Sequence, residues 1–221
     1  MIRHGETILN AQHVRQGREG ALSELGKIQA EKTGERLSKI EFDAVLVSPF
    51  QRTLETAEII SHHLILKKPA EILEMLGERK NPSEIVNKSA EIPEIKQIID
   101  IIDKSFHDDN FRFSDEENFT DLKERAEFVL NYLASRPEQK ILVITHSIFL
   151  KMIAAVITEG NKLTARKYNL MSFLNDSNNA SITICEYEVV PAREGFISWL
   201  LSKKKGVWKM LAWDDYSRET K

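Results

Sequence analysis

The stretch FDAVLVSPFQRTLETAEII, Phe42 to Ile60, changes character at a Ser-Pro pair. Up to Val47 it is apolar, β-branched and without alternation, which describes a strand buried on both faces. Pro49 has no N–H to give a ladder and ends it. From Gln51 onward the residues favour a helix that opens directly off the strand. The same order recurs in KILVITHSIFLKMIAAVITEG, Lys140 to Gly160, where an apolar strand passes through Thr-His-Ser into a helix closed by Gly160. Between the two, Leu122, Ala126, Val129, Leu130 and Leu133 form one stripe of an amphipathic helix. Near the start, Ser23 is a suitable N-cap for a helix whose Leu25, Ile28 and Leu37 fall near one face. Unalternated strands alternating with helices predict an α/β fold, with a mostly parallel central sheet sandwiched by helices.

The bulk numbers bound the rest. At 221 residues the chain is read as a single domain spanning 1–221, with a small helical cap insertion at about 72–115 and an extra C-terminal β segment at about 190–215. Its 31 basic and 34 acidic residues leave a net charge of -3, which argues against a nucleic-acid partner. No stretch approaches the roughly 20 apolar residues that span a bilayer, so no membrane partner is expected. The one cysteine, Cys185, lies in the strand-like SITICEYEV and reads as a structural thiol in a reducing compartment. A cytoplasmic location is expected.

Three strand-like runs end in similar chemistry: Arg3-His4-Gly5, Ser48-Pro49 with Arg52 a turn later, and Thr145-His146-Ser147. In open parallel sheets, ligands bind at the carboxyl ends of the strands. Cations at helix starts oppose the helix dipole unless an anion is present. Two guanidinium forks, helix-end N–H groups and imidazoles suit a phosphoryl group. Taken singly, each such histidine or arginine is more often structural or solvated; their joint arrangement is the signal. No metal-ligand cluster is apparent, and neighbouring His62 and His63 diverge on their helix. No cofactor is called for.

These motifs, in this order, resemble the histidine phosphatase superfamily, which includes cofactor-dependent phosphoglycerate mutases. RHGETILN resembles its nucleophile signature, QGREGALSELGKIQA the loop and helix after it, VLVSPFQRTLETAEII the second signature, ILVITHS the second-histidine strand and NNASITICEYE the late strand. The resemblance implies His4 as a nucleophile that becomes a phosphohistidine. Arg3, Arg52 and His146 would hold the phosphoryl oxygens, with Asn10 and Ser147 as further contacts. A neutral imidazole is a good nucleophile near pH 7, and positive charge on the equatorial oxygens can replace a metal. A carboxyl group must protonate the leaving group and later deprotonate water. EILEMLGERKNPSE offers Glu74, Glu78 and Glu84; Glu78-Arg79 best matches the family's Glu-Arg pair, with Glu74 second.

Four features depart from that pattern. Only Met1 and Ile2 precede Arg3, so Met1 is expected to be an internal methionine of a longer strand. Ser147 replaces the usual glycine after His146. Lys80-Asn81-Pro82 stands where mutases have His-Tyr-Gly, which favours hydrolysis over transfer. The segment from Pro191 onward has no clear counterpart. Its Trp199, Trp208 and Trp213 read as core packing, and Lys203-Lys204-Lys205-Gly206 as a turn. In the insertion, the isoleucines of EIPEIKQIIDIID are expected to pack on the main sheet. The expected activity is therefore a metal-independent phosphatase acting on phosphomonoesters, its partner a small phosphorylated substrate or a phosphoprotein. The rivals are a phosphoglycerate mutase-type phosphotransferase and a non-catalytic phosphate-binding protein. Oligomeric state is not legible.

Overall fold

A computed structural model describes residues 1–12, 14–105, 108–174, 177–189 and 206–216. A sheet of six strands runs in the order β3-β2-β4-β1-β5-β6. Its parallel half comprises β3 (Glu71–Ile72), β2 (Ala44–Val47), β4 (Ile141–Thr145) and β1 (Ile2–Arg3). Then β5 (Ile182–Val189) and β6 (Gly206–Asp215) add antiparallel, so the sheet is mixed rather than parallel throughout.

Burial on both sides explains the unalternated strands. Val45, Val47, Leu142 and Ile144 face a core shared with α2 (Glu24–Leu37) and α3 (Gln51–Ser61). Leu46 and Val143 face the opposite core, built with α5 (Phe119–Ser135) and α6 (Ser147–Glu159). Each such side chain removed from water contributes roughly 1.5–3 kcal/mol. β1 is two residues long, yet Ile2 is fully buried and registered between Ile144 and Ile182. The Met1 ammonium donates to the Thr183 carbonyl at 2.7 Å, and burial lowers its pKa.

The helix ends follow the capping rules. The Ser23 side chain accepts the Gly26 N–H, and Asn118 with Asp121 forms a capping box on α5. The buried face of α2 differs from the expected one. It consists of Gly26, Gln29, Ala30, Thr33, Gly34 and Leu37, while Ile28 is 51% exposed. Close approach decides this. A Cβ on Gly26 would lie 2.0 Å from the Glu6 carbonyl oxygen, and one on Gly5 would lie 2.4 Å from that of Gly26. The chain after His4 thus lies flat on α2, where small residues are required.

In the insertion, α4 (Pro93–Ser105) turns Ile95, Ile99 and Ile102 onto Ile85, a small core of its own. The expectation that they reach the main sheet is corrected. Their i, i+4, i+7 stripe is satisfied locally by the segment that folds under the helix. In the C-terminal segment, β6 pairs with β5 from Val189↔Gly206 to Ile182↔Asp215. Trp208 packs against the α5–α6 core and lies 5.1 Å from the Tyr187 ring, in keeping with the packing reading. Trp199 and the turn expected at 203–205 lie outside the described residues. Among the described residues, no helix is long and apolar enough to cross a membrane.

Candidate active site

β2, β4 and β1 are adjacent and parallel, so their carboxyl ends open on the same edge. The ladder continues one step beyond the strands. His4 N–H donates to the Thr145 carbonyl at 3.0 Å and Ser48 N–H to the Ile144 carbonyl at 3.1 Å. These bonds bring His4, Ser48 and His146 together. The His4 and His146 rings lie edge to face with centroids 5.2 Å apart.

Hydrogen bonds assign the tautomers. His4 Nδ1 is 2.7 Å from the Gly5 carbonyl, which can only accept, so Nδ1 carries the proton and Nε2 keeps its lone pair. Gly5 is held in turn by its N–H on Thr56 Oγ1 at 3.1 Å. Arg52 Nε donates to His146 Nδ1 at 3.2 Å, so the His146 proton is on Nε2, directed at Ser48 Oγ 2.8 Å away. Both nitrogens of His146 are thereby engaged within the protein. Arg52 also donates from Nη1 to the Gly17 carbonyl at 2.9 Å and stacks on Phe50, 4.9 Å from its centroid. Phe50 in turn lies 4.8 Å from the His146 ring.

Electrostatics give the site its character. Burial pushes His4 well below its ordinary pKa, and the charges of Arg52 and then Arg3 push it the same way, against the Gly5 carbonyl. His146 is lowered well below its ordinary value by burial, then by Arg52. Arg52, only 3% exposed, is brought down to about 10 by burial, with the Glu78 charge opposing and Arg3 adding to the effect. Two neutral imidazoles beside two guanidinium groups make a pocket that disfavours any further cation and favours an anion.

The predicted residues divide as follows. Arg3 is half-buried and donates from Nη1 to the Ser177 carbonyl. Asn10 uses Oδ1 to accept the Thr7 N–H at 3.4 Å, as the N3 residue of a capping box on α1 (Ile8–Ala11). Ser147 is the first residue of α6, directly after His146. Glu78 joins the site: its carboxylate accepts the N–H groups of Ile148 at 3.2 Å, Phe149 at 3.0 Å and Arg79 at 2.9 Å. Two N–H groups at the start of α6, those of Ile148 and Phe149, are therefore occupied by a side chain of the protein. The dipole at that terminus favours this carboxylate. Glu74 instead forms an exposed ion pair with Arg18, and Glu84 accepts from Ser83 Oγ at 3.5 Å.

Sequence reasoning missed Arg125 of α5. It pairs with both oxygens of Glu117 at 2.7 Å, donates to the Met75 and Gly77 carbonyls at 3.0 and 2.8 Å, and covers Phe149 at 4.0 Å from its centroid. It thus ties down the segment that carries Glu78. Nothing in its place on an amphipathic helix signals that role. Among the described residues, no group of three or more His, Cys, Asp or Glu is arranged to hold a metal ion.

Comparisons with known proteins bear on the family and the fold. A family model for the histidine phosphatase superfamily, branch 1, matches residues 1–190. A probable phosphoglycerate mutase, GpmB of Erwinia tasmaniensis, is 30% identical over 165 residues, covering 71% of this chain and 73% of that protein. An uncharacterized phosphatase, PhoE of Bacillus subtilis, is 40% identical over 67 residues, 30% of this chain; the match spans only 35% of PhoE. Among solved structures, Bacillus stearothermophilus YhfR superposes with a TM-score of 0.74 at 23% identity, covering 98% of this chain and 96% of that one. A mycobacterial glucosyl-3-phosphoglycerate phosphatase complexed with VO3 gives 0.70 at 21%, covering 97% of each chain. At these identities the structures establish a shared fold.

Proposed function

The chain belongs to the histidine phosphatase superfamily, and on that basis we propose that it is a metal-independent phosphomonoesterase working through a phosphohistidine at His4. The observation that carries this reading is the bond from His4 Nδ1–H to the Gly5 carbonyl, because it leaves the Nε2 lone pair available for attack. The lowered pKa favours the unprotonated form of that nitrogen at neutral pH.

In the first step His4 Nε2 bonds to phosphorus as the ester P–O bond breaks, and Glu78 supplies the proton that the leaving oxygen needs. The ring becomes cationic as it bonds, which the Gly5 carbonyl on Nδ1–H favours. In the second step water attacks phosphorus, the P–N bond breaks and Glu78 takes the proton back. Arg3 and Arg52 offset the charge on the phosphoryl oxygens, and His146, whose two nitrogens are taken by Arg52 and Ser48, serves by holding the Arg52 guanidinium in place rather than by a direct contact. A dianion bound there would add negative charge beside the Arg3 and Arg52 guanidinium groups.

Hydrolysis is preferred over transfer because Lys80-Asn81-Pro82 follows Glu78-Arg79. Lys80 turns to Asp115, 3.0 Å away, and its N–H to Glu117. A second reading, a phosphoglycerate mutase-type phosphotransferase, is favoured by the match to GpmB. A screen of phosphorylated metabolites and phosphopeptides, run beside His4→Ala, tests the proposal. Phosphate release by the wild type and its loss in the folded variant are expected; retained turnover in the variant removes the mechanism. Primed interconversion of phosphoglycerates without net hydrolysis selects the mutase. Vanadate binding with no trapped phosphoenzyme selects a non-catalytic phosphate-binding protein.

A further inference from the structure

The family match ends at residue 190, and β6 begins at Gly206. That outlying strand nevertheless makes a continuous hydrogen-bonded link to the nucleophile. The loop 177–180 wraps the chain at Arg3 and His4. Ala180 N–H is shared between the Arg3 carbonyl at 3.1 Å and the His4 carbonyl at 3.2 Å. Asn179 Nδ2 also donates to the His4 carbonyl, at 3.1 Å, and the Ser177 carbonyl accepts from the Arg3 guanidinium. Two elements hold this loop from behind. Thr33 Oγ1 of α2 donates to the Ala180 carbonyl at 2.8 Å. Asp214 of β6 accepts both the Asn178 N–H, at 2.6 Å, and the Asn178 side-chain amide, at 2.5 Å.

Backbone strain marks both ends of the link. Asp214 and Ala180 are non-glycine residues with φ of 53° and 54°, in the left-handed region. Such conformations are unfavourable for residues with a Cβ and persist where the surroundings over-determine them. At Asp214 the strained backbone turns the end of an edge strand so that its carboxylate reaches Asn178.

We propose that Asp214 is a positioning residue for the nucleophile: acting through Asn178, it holds the loop 177–180 against the backbone of Arg3 and His4, so that β6 belongs to the working active site. The proposal rests on the phosphohistidine reading for its kinetic consequence, and on geometry alone for the link itself. A carboxylate suits Asn178 because it accepts two donors at once. An asparagine at 214 can do the same work, accepting the backbone N–H at its oxygen and donating to a flipped Asn178 amide.

The test compares Asp214→Ala, Asp214→Asn, Asn178→Ala and Arg36→Ala in the full chain, with hydrolysis of p-nitrophenyl phosphate and amide hydrogen exchange as readouts. Arg36 bonds the neighbouring Asp215 carboxylate at 2.6 Å rather than Asp214 or Asn178, so its variant loosens β6 without removing a bond of the link. Loss of alignment at the reacting atom predicts a fall in kcat of about 10- to 100-fold for Asp214→Ala, with KM within about twofold. Asn178→Ala keeps the backbone bond and falls between that variant and wild type. Asp214→Asn recovers most of the rate, and Arg36→Ala keeps it. Exchange at the Ala180 and His4 amides speeds up in Asp214→Ala and not in Arg36→Ala. Wild-type kcat in Asp214→Ala, an equal loss in Arg36→Ala, or an asparagine variant as poor as alanine overturns the proposal. If the wild type hydrolyses no phosphomonoester, the functional reading fails by itself, and the exchange pattern alone decides the link. Unchanged exchange in Asp214→Ala refutes it, as it also does through Asn178→Ala if the first variant does not fold.

Discussion

Replacing Arg125 with methionine is the sharpest test of how the Glu78 segment is held. The substitution keeps an unbranched apolar stem and removes the guanidinium. It breaks a bidentate pair with Glu117 whose side chains are only 18% and 20% exposed. It also strips the Met75 and Gly77 carbonyls of a donor at 3.0 and 2.8 Å and uncovers the Phe149 ring. Breaking a fully buried pair costs roughly 3–5 kcal/mol, and partial exposure places this one at the lower end, about 3 kcal/mol. For a chain of this size, that lowers the melting midpoint by about 6–12 °C. Glu117 is not left bare, because it still accepts the Lys80 N–H at 2.9 Å. The kinetic effect follows from what the segment carries. With the Met75 and Gly77 carbonyls released, the Glu78 segment keeps the α6 N–H groups and the Thr145 hydroxyl on the Leu76 carbonyl but loses its anchor on α5, and kcat falls about tenfold with little change in KM. Thermal melts followed by circular dichroism and steady-state kinetics below the variant's transition are sufficient. Arg125→Lys, which cannot form the fork, recovers only part of the stability. A midpoint shift below about 2 °C together with wild-type kcat refutes the reasoning, since the network would then contribute almost nothing.

Three other predictions follow from the same coordinates. His4 and His146 have folded pKa values below their unfolded ones, so their stabilising contribution is complete above about pH 6.5 and declines as pH falls below it. Stability measured by chemical denaturation in low phosphate should fall as pH is lowered from about 6.5 to about 5, and a flat profile over that range contradicts the assignment. Glu78→Gln is expected to reduce turnover by about 10²- to 10⁴-fold, whereas Glu74→Gln, at an exposed pair with Arg18, leaves it within about twofold; the reverse ranking in the same assay transfers the proton-carrying role to Glu74. Gly5→Ala places a Cβ 2.4 Å from backbone on α2 and should lower the melting midpoint by several degrees and abolish turnover. A normal melt for that variant means the loop has room the structure does not show.

The apolar runs Ala44–Val47 and Ile141–Thr145, the stripe on α5 and the cap at Ser23 were legible from residue order. Each is a local matter: a period, a missing N–H at Pro49 or a side chain that reaches its own backbone. The convergence of Arg3, His4, Arg52 and His146 was also legible, because parallel strands present their carboxyl ends on one edge and three strand ends carried the same chemistry. Distance along the chain hid the rest. The tautomer of His146 depends on Arg52, 94 residues earlier, and the hold on Glu78 depends on Arg125. The grip on His4 comes from a loop braced by Asp214. Such contacts leave no periodic trace, since a hydrogen bond between remote residues constrains geometry without imposing a pattern on the residues around it. Residue order thus determined which side chains gather at the carboxyl ends of β1, β2 and β4. Only tertiary structure decided which nitrogen of each histidine holds a proton, because that depends on the donor or acceptor the fold places opposite it.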